Sequence, residues 1–192
     1  MILKLPPKKE LRILGIDDGP FDKFKDKDVI VVGTIFRGGS YLDGLLSTKV
    51  RIDGKNSTRN IAKMILNSRF KSQIQLIFLD GIAVGGFNVI DANELHKLTK
   101  IPIIIVMRNY PDHKKMFDAM KKIGMGSKIP LITDLPKPVK VDDIFIQCIG
   151  VSLDYARLIL KLTCTHSMIP EPLRQAHIIA SGIVKKESYG DA

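Results

Sequence analysis

Two nearly continuous runs of apolar residues constrain the fold of this chain more than any other feature. They are QIQLIFLD, residues 73–80, and IPIIIVM, residues 101–107, and a glycine-rich loop and an amphipathic segment separate them. Apolar runs without alternation are typical of strands that are buried on both faces in a parallel sheet. The two runs therefore predict parallel strands joined by a helix in an α/β protein.

Three further strands are predicted upstream, in LRILGID, DVIVVGTIFRGG and LLSTKVRI. Short turns separate them, so they are expected to form an antiparallel meander. A meander followed by βα units favours a ribonuclease H-like fold, which is a mixed five-stranded sheet of order 3-2-1-4-5 with helices on both faces and C-terminal additions. Helices are predicted at about 56–70, 88–100, 111–123, 152–163 and 170–184, and further strands near 129–133 and in DIFIQCIG.

The composition is that of a globular protein, with 45% hydrophobic and 26% charged residues. No repeat or linker interrupts the chain, so residues 1–192 are interpreted as a single domain. No apolar run is long enough to span a membrane, and the first residues lack the apolar core of a signal peptide. Two isolated cysteines, Cys148 and Cys164, favour a reducing cytoplasm over a zinc site.

The charge balance indicates a class of partner. Lys and Arg total 30 against 20 acidic residues, which gives a net charge of +10. A basic surface attracts polyanions, of which nucleic acid is the commonest large one in a cell. Pairs of lysines such as Lys8-Lys9 are also typical of a solvated face, so the charge favours nucleic acid without naming a substrate.

Carboxylates lie where the first and fourth predicted strands end. Asp17 and Asp18 follow the first strand and Asp80 ends the fourth, and a glycine comes directly after each. Turn residues at strand ends need no chemical explanation. If the two strands are parallel neighbours, however, Asp17 and Asp80 converge and repel each other unless a proton or a cation lies between them. Magnesium is the cation that such oxygen ligands favour, and it supports phosphodiester cleavage.

Several segments resemble the endonuclease V family, in the same order along the chain. They are ILGIDD, YLDGLL, LIFLDGIAVGG, IPIIIVMRN and IPEPLRQAH, and they extend from about residue 11 to about residue 183. The nearest resemblance is to an archaeal group of endonuclease V-like proteins, some of which are labelled endonuclease dU.

The resemblance implies an endonuclease that uses Mg²⁺ or Mn²⁺ and cuts DNA or RNA near a deaminated base, which is inosine or uracil. It places Asp17 and Asp80 at the metal, His177 at a late position close to the metal, and Arg108 after the fifth strand. It places Tyr41 in a wedge that separates the damaged base from its partner. Because adjacent strand residues face opposite ways, Asp18 is the alternative to Asp17.

The chain departs from the family pattern at the third carboxylate. The family has a glutamate near the start of the first helix, where this chain has NSTR, residues 56–59. Asp53, or else Asp43, is expected to replace it, and Asp53 is the preferred third metal ligand. In the motif after the fourth strand, Ala83 replaces a glycine and Gly86 replaces a histidine.

The loop and the last helix add candidate substrate-binding residues. The loop positions are Gly81, Ala83, Gly85 and Gly86, whose exposed backbone would admit an extruded base or would simply allow tight strand-to-helix packing. Arg174 lies three residues from both Glu171 and His177, so one helix face carries all three. Arg174 would bind phosphate or would pair with Glu171.

Two other functions remain open from the sequence. The first is a nucleic-acid-binding protein of the same fold that lost turnover with the third carboxylate. The second is a small-molecule enzyme that binds nucleotides through the loop GIAVGGFN. The second is disfavoured because this loop is neither a dinucleotide-binding GxGxxG motif nor a P-loop.

Overall fold

A computed structural model describes residues 7–188. Within these residues the chain forms nine strands, β1 Arg12–Asp18, β2 Asp28–Arg37, β3 Tyr41–Arg51, β4 Leu76–Asp80, β5 Ala83–Val84, β6 Asn88–Val89, β7 Ile103–Met107, β8 Val139–Val141 and β9 Ile144–Ile149. The α-helices of this part of the chain are α1 Ser57–Leu66, α2 Ala92–Thr99, α3 His113–Lys122, α4 Pro130–Thr133, α5 Leu153–Thr163 and α6 Glu171–Lys185. None of the helices in the described range has the length and apolar character needed to cross a membrane.

The main sheet confirms the predicted strand order. It runs β3-β2-β1-β4-β7-β9-β8, and its first five strands have the order 3-2-1-4-5 of the ribonuclease H-like fold. β1, β4 and β7 are parallel, and β2 is antiparallel to β1. The sheet is wider than the five strands predicted, because β9 pairs antiparallel with β7 and β8 pairs with β9.

Two local predictions were wrong. The strand expected near residues 129–133 is helix α4, which has a proline at its first position, where the missing N–H has no intrahelical partner to lose. The helix expected from residue 88 begins at Ala92, where Asp91 caps it by accepting a hydrogen bond from the Glu94 N–H. Residues 88–89 instead pair with residues 83–84 as a small hairpin, β5–β6.

Helices cover both faces of the sheet, and the alternation along each strand decides which residues meet which helices. Leu14 and Ile16 of β1 pack into the core under α1 and α2. Ile13 of β1, together with Leu76 and Phe78 of β4, packs into the opposite core under α5 and α6. Because the same alternation continues to the ends of β1 and β4, Asp17 and Asp80 lie on the α6 side of the sheet, whereas Asp18 faces the other side.

Helix α6 begins in direct contact with β1. A Cβ at Gly15 would lie 2.6 Å from the backbone nitrogen of Leu173 and closer still to the carbonyl of Pro172, so only glycine fits. The hydroxyl of Thr34, on β2, donates a hydrogen bond to the Pro172 carbonyl at 2.5 Å. These contacts fix the start of α6 over the sheet and determine where its later residues lie.

Candidate active site at the carboxyl edge of the sheet

Asp17 and Asp80 end two adjacent parallel strands. Ile16 pairs with Leu79 in the parallel register, so Asp17 and Asp80 are the next residues along β1 and β4. Both are largely removed from solvent, with side-chain exposures of 9% and 17%. The predicted convergence of these two carboxylates is therefore present, on the face of the sheet that α6 covers.

His177 reaches this pair from α6. Its Nδ1 lies 2.9 Å from Asp17 Oδ2. Because a carboxylate at this position accepts, Nδ1 carries the proton, and Nε2 is the ring nitrogen left for other chemistry. The hydrogen bond to Asp17, reinforced by the charges of Asp17 and Asp80, raises the pKa of His177 above its usual value.

Arg108, which follows β7, lies on the other side of the pair. Its Nη1 is 3.8 Å from Asp80 Oδ2. Burial, and next the charge of Asp17, raise the pKa of Asp80 to about 6, and the positive charges of Arg108 and His177 offset this shift only in part. Asp80 is thus a carboxylate whose ionised form needs more positive charge than its protein neighbours supply.

Asp18 has a different environment from Asp17. Its Oδ2 accepts a hydrogen bond of 2.8 Å from the Gly85 N–H, which ties the end of β1 to the glycine-rich loop. Burial is the main cause that raises its pKa to about 7, and the charges of Asp17 and Asp80 add to the shift. Asp17 and Asp80 share one face, whereas Asp18 holds the loop on the other.

The structure does not bring Asp53 to the pair. Its Oδ2 lies 2.8 Å from Lys23 Nζ, and its Oδ1 accepts the Phe87 N–H at 2.8 Å. These partners hold the pKa of Asp53 below its usual value, although burial opposes them. In the structure the Asp53 carboxylate fastens the loop to the turn after β3, and within residues 7–188 it joins no group of three potential metal ligands. That Asp53 supplies a third metal ligand stays a prediction.

The alternative third acid, Asp43, and the expected wedge residue, Tyr41, lie at the opposite edge of the sheet. Asp43 forms ion pairs with Arg12 and Arg37 at 2.8 and 3.0 Å. Tyr41 pairs with Arg37 of β2, and Asp17 pairs with Val32 of the same strand. Arg37 and Val32 are five residues apart, which is about 17 Å at the rise per residue of a strand. The structure therefore places the Tyr41 ring far from the acids.

Arg174 is not directed at the acids either. Its Nε and Nη2 form a two-pronged ion pair with Glu171, at 2.6 and 3.0 Å. Of the two alternatives that the sequence left open for Arg174, the structure shows the pairing with Glu171. His166 also contacts the same glutamate, at 3.1 Å.

The glycine-rich loop forms one wall of a cavity of about 290 Å³ that begins at Gly81, the residue after Asp80. Its positive φ angles, at Gly81, Gly85 and Gly86, explain the glycines at these positions. The cavity is lined by Gly81, Ile82, Ala83, Gly86, Phe87, Met107, Pro111, His113, Met116, Ile132 and Gln147. Of the four predicted loop residues, Gly85 is outside this lining, and its N–H donates to Asp18.

Sequence analysis missed a buried lysine that donates hydrogen bonds to the carbonyl groups of this loop and of the turn after β3. Lys128 is 5% exposed, and its Nζ donates to the carbonyls of Phe87, at 2.7 Å, and of Gly54. The signal for it was weak, because a single lysine in a proline-containing segment is normally a surface residue. Burial of Lys128 is the cause that lowers its pKa.

A divalent cation fits the chemistry of this donor set. Asp17 and Asp80 offer hard carboxylate oxygens, and their mutual repulsion in a buried setting favours a cation between them. Within residues 7–188 no group of three or more His, Cys, Asp or Glu side chains could hold a metal ion. The pair therefore suits an ion such as magnesium, which commonly takes one or two carboxylates and completes its shell with water and phosphate.

Comparison with known proteins places the chain in a family. The family model described as endonuclease dU matches residues 9–184. A UPF0215 protein of Methanothermobacter thermautotrophicus is 44% identical over 96% of this chain and 93% of its own length. A UPF0215 protein of Archaeoglobus fulgidus is 37% identical over 96% of this chain and 99% of its own length.

Solved structures show the same fold. The crystal structure of a protein of unknown function from Archaeoglobus fulgidus has a TM-score of 0.84 and 36% identity, and the match covers 93% of this chain and 99% of that one. An endonuclease V of Ciona intestinalis, bound to DNA that contains an inosine, has a TM-score of 0.57 and 20% identity over 91% and 86% of the chains. The fold is ribonuclease H-like, as in endonuclease V, and the chain belongs to the endonuclease dU family.

Proposed function

We propose that this protein is an endonuclease that hydrolyses a phosphodiester bond near a deaminated base, uracil or inosine, in DNA or RNA, with Mg²⁺ or Mn²⁺ as its cofactor. The observation that carries the proposal is the buried pair Asp17–Asp80 at the carboxyl edge of two parallel strands, with His177 bonded to one acid and Arg108 beside the other. Membership of the endonuclease dU family supports a nuclease, and the net charge of +10 supports a polyanionic substrate.

Asp17 and Asp80 would hold the cation, which when bound activates water and neutralises charge on the phosphate. His177 is oriented by Asp17, so that Nε2 of its neutral ring would accept a proton from the attacking water. Arg108 beside Asp80 would donate to a phosphate oxygen and position the scissile bond. Asp18 holds the loop that lies against the substrate.

The glycine-rich loop and its cavity supply a place for an extruded base. Enzymes that act at a damaged base rotate it out of the stack into a pocket. The cavity of about 290 Å³ is close to the lower end of the range for small-ligand sites, which is about 300 Å³, and its wall is mainly apolar. In this proposal Gly81, Ala83 and Gly86 contact the base.

The test is cleavage of end-labelled oligonucleotides that carry one uracil, one inosine or neither, with magnesium, manganese or EDTA. We expect metal-dependent cutting close to one of the lesions, and a loss of at least about 100-fold in Asp80→Asn, since the metal site loses half of its carboxylates. Asp154→Asn is the matched control, because Asp154 is 84% exposed on α5, away from the acids.

The absence of a third suitable ligand among residues 7–188 favours one alternative, a protein that binds nucleic acid and does not cut it. Folded wild-type protein that binds the oligonucleotides in every metal condition and leaves all of them intact would replace the nuclease proposal with this one.

A further inference from the structure

One buried polar side chain in the cavity has no role in the proposed chemistry. Gln147 lies on β9, opposite Ile105 of β7, and is 5% exposed. It lines the cavity beside apolar residues such as Met107 and Ile132. A glutamine within an apolar wall loses the solvation of its amide, so its hydrogen-bonding atoms need partners.

The orientation of the Gln147 amide is fixed. Its Nε2 donates to the backbone carbonyl of Pro136 at 2.7 Å. A carbonyl can only accept, so the NH₂ group faces Pro136 and the amide oxygen, Oε1, points elsewhere. The hydrogen bond therefore decides which end of the amide is available to a ligand.

Oε1 of Gln147 has no hydrogen-bond partner within residues 7–188. In the same part of the chain, no side-chain oxygen is both sealed from solvent and without a partner. Oε1 must therefore retain contact with accessible space, and we take this space to be the cavity that Gln147 lines. On this assignment the largely apolar wall of the cavity contains a fixed acceptor.

We propose that Gln147 is a specificity-determining residue, whose Oε1 accepts a hydrogen bond from the ring N–H of a deaminated base in the cavity. Uracil carries this hydrogen at N3 and hypoxanthine at N1. Their precursors, cytosine and adenine, have an unprotonated acceptor nitrogen at the same ring position, which would face Oε1 with lone pair against lone pair. A site built to accept from an N–H rejects an analogue that lacks it.

This inference rests on the proposed function, because it takes the cavity to be the base site. The contact separates a deaminated base from its own precursor. Thymine and guanine also carry a ring N–H, and their correct pairing in a duplex makes them harder to extrude than a mispaired base. Gln147 therefore discriminates a deaminated base from its precursor, whereas the cost of extrusion discriminates it from correctly paired thymine and guanine.

The test measures binding without cleavage, in EDTA, by fluorescence anisotropy. Single-stranded oligonucleotides carry uracil or cytosine at one position, and a second pair carries hypoxanthine or adenine. We expect the wild-type protein to prefer the deaminated base in at least one pair, and Gln147→Met to reduce that preference about tenfold, as expected for one hydrogen bond to a buried group. Gln73→Met is the matched control that retains the preference, because Gln73 donates from the same kind of amide to the Arg69 carbonyl, at 3.3 Å, and lies outside the cavity lining.

A modified base in the oligonucleotide tests the same hydrogen bond if Gln147→Met does not fold. N3-methyluracil lacks the ring hydrogen, and we expect wild-type protein to bind it as weakly as cytosine. Thymine, with its methyl group at another ring position, controls for bulk.

The proposal is overturned if wild-type protein shows no preference in either pair, if it binds N3-methyluracil as tightly as uracil, or if folded Gln147→Met keeps the full preference. A preference that depends on Gln147 in a protein that never cuts would support this inference and contradict the nuclease.

Discussion

Glu171 shows how a single charged residue can be buried at the start of a helix. It is 3% exposed, and Arg174, Gln175 and His166 all contact its carboxylate. Burial alone would raise its pKa, but the hydrogen bonds from Arg174 and Gln175 and the charges of Arg174 and His166 together hold it below its usual value. Arg174 thus stabilises the start of α6 through its ion pair with Glu171.

This pair gives a prediction for stability. We expect Arg174→Gln to lower the free energy of unfolding at pH 7 by about 2–3 kcal/mol, because it leaves a buried carboxylate short of positive charge. Urea denaturation measures the change. Arg157→Gln is the matched control, since the exposed pair Arg157–Asp154 has the same i,i+3 spacing and contributes about 0.5 kcal/mol or less.

The loss should depend on pH. Glu171 has a folded-state pKa below its usual value of 4.5, so its stabilising contribution is present above pH 4.5 and is lost as the pH falls through the lowered pKa. The gap between wild type and Arg174→Gln should therefore narrow below pH 4.5. A gap that stays constant down to pH 3 would contradict the assignment to this ion pair.

At the scale of residues, the convergence of the two acids at strand ends could be predicted, whereas the environment of Asp53 could not. Asp17 and Asp80 follow from two apolar strands that end in carboxylates, given the strand order. Asp53 was assigned by its position before the first helix, but its positive φ of 52° and its bond to the Phe87 N–H belong to a turn whose shape the sequence does not reveal. Gln147 was missed because an amide in a strand has no distinctive spacing.

At the scale of elements, the contact between α6 and β1 positions His177. We expect Gly15→Ala to cost about 1–3 kcal/mol in stability, since its Cβ would overlap the backbone of residues 172–173 and push the helix away. The same displacement would lengthen the contact between His177 and Asp17. The measurements are thermal unfolding and the NMR signals of the His177 ring.

Gly182→Ala is the control within the same helix. A Cβ there would meet only Ser188 Oγ, at an ordinary 3.6 Å, so the change should leave stability unchanged or raise it by up to about 1 kcal/mol. If both variants are equally stable, the close approach of α6 to Gly15 does not limit the fold.

The short helical segment from Gly126 to Thr133 contributes one cation to the loop through Lys128. We expect Lys128→Met to cost about 2–4 kcal/mol, because the carbonyls of Gly54 and Phe87 lose a buried charged donor. Hydrogen exchange of the amides of residues 85–88 should also become faster. Lys121→Met, at an exposed position on α3, should change neither quantity.

The order of the five central strands was predictable because apolar periodicity separates buried parallel strands from a meander. The extension of the sheet by β8 and β9 was not predictable, because the proline-rich connections before these strands do not indicate which edge of the sheet they join. The helix at residues 130–133 was mistaken for a strand for a related reason: four apolar and β-branched residues satisfy either pattern, and the sequence alone does not decide between them.

At the scale of the whole molecule, the net charge of +10 predicts how nucleic-acid binding responds to salt. Each phosphate neutralised by Lys or Arg releases counterions, so affinity falls as salt rises. We expect the dissociation constant for an undamaged oligonucleotide to rise at least tenfold between about 50 and 200 mM salt, which corresponds to two or more phosphate contacts. Binding that is insensitive to salt would show that the positive charge is not a nucleic-acid footprint.

The hydrogen bond between His177 and Asp17 joins residues that are 160 positions apart in the chain. At roughly 5–20 residues per second, a ribosome makes the second partner roughly 8–30 s after the first. In the later part of that interval, after Asp80 has been made, the strands that carry both acids exist, while the imidazole that bonds to Asp17 does not. In the proposed nuclease, a nascent chain next to its own messenger RNA would therefore lack the complete group of site residues until α6 has been made and has docked.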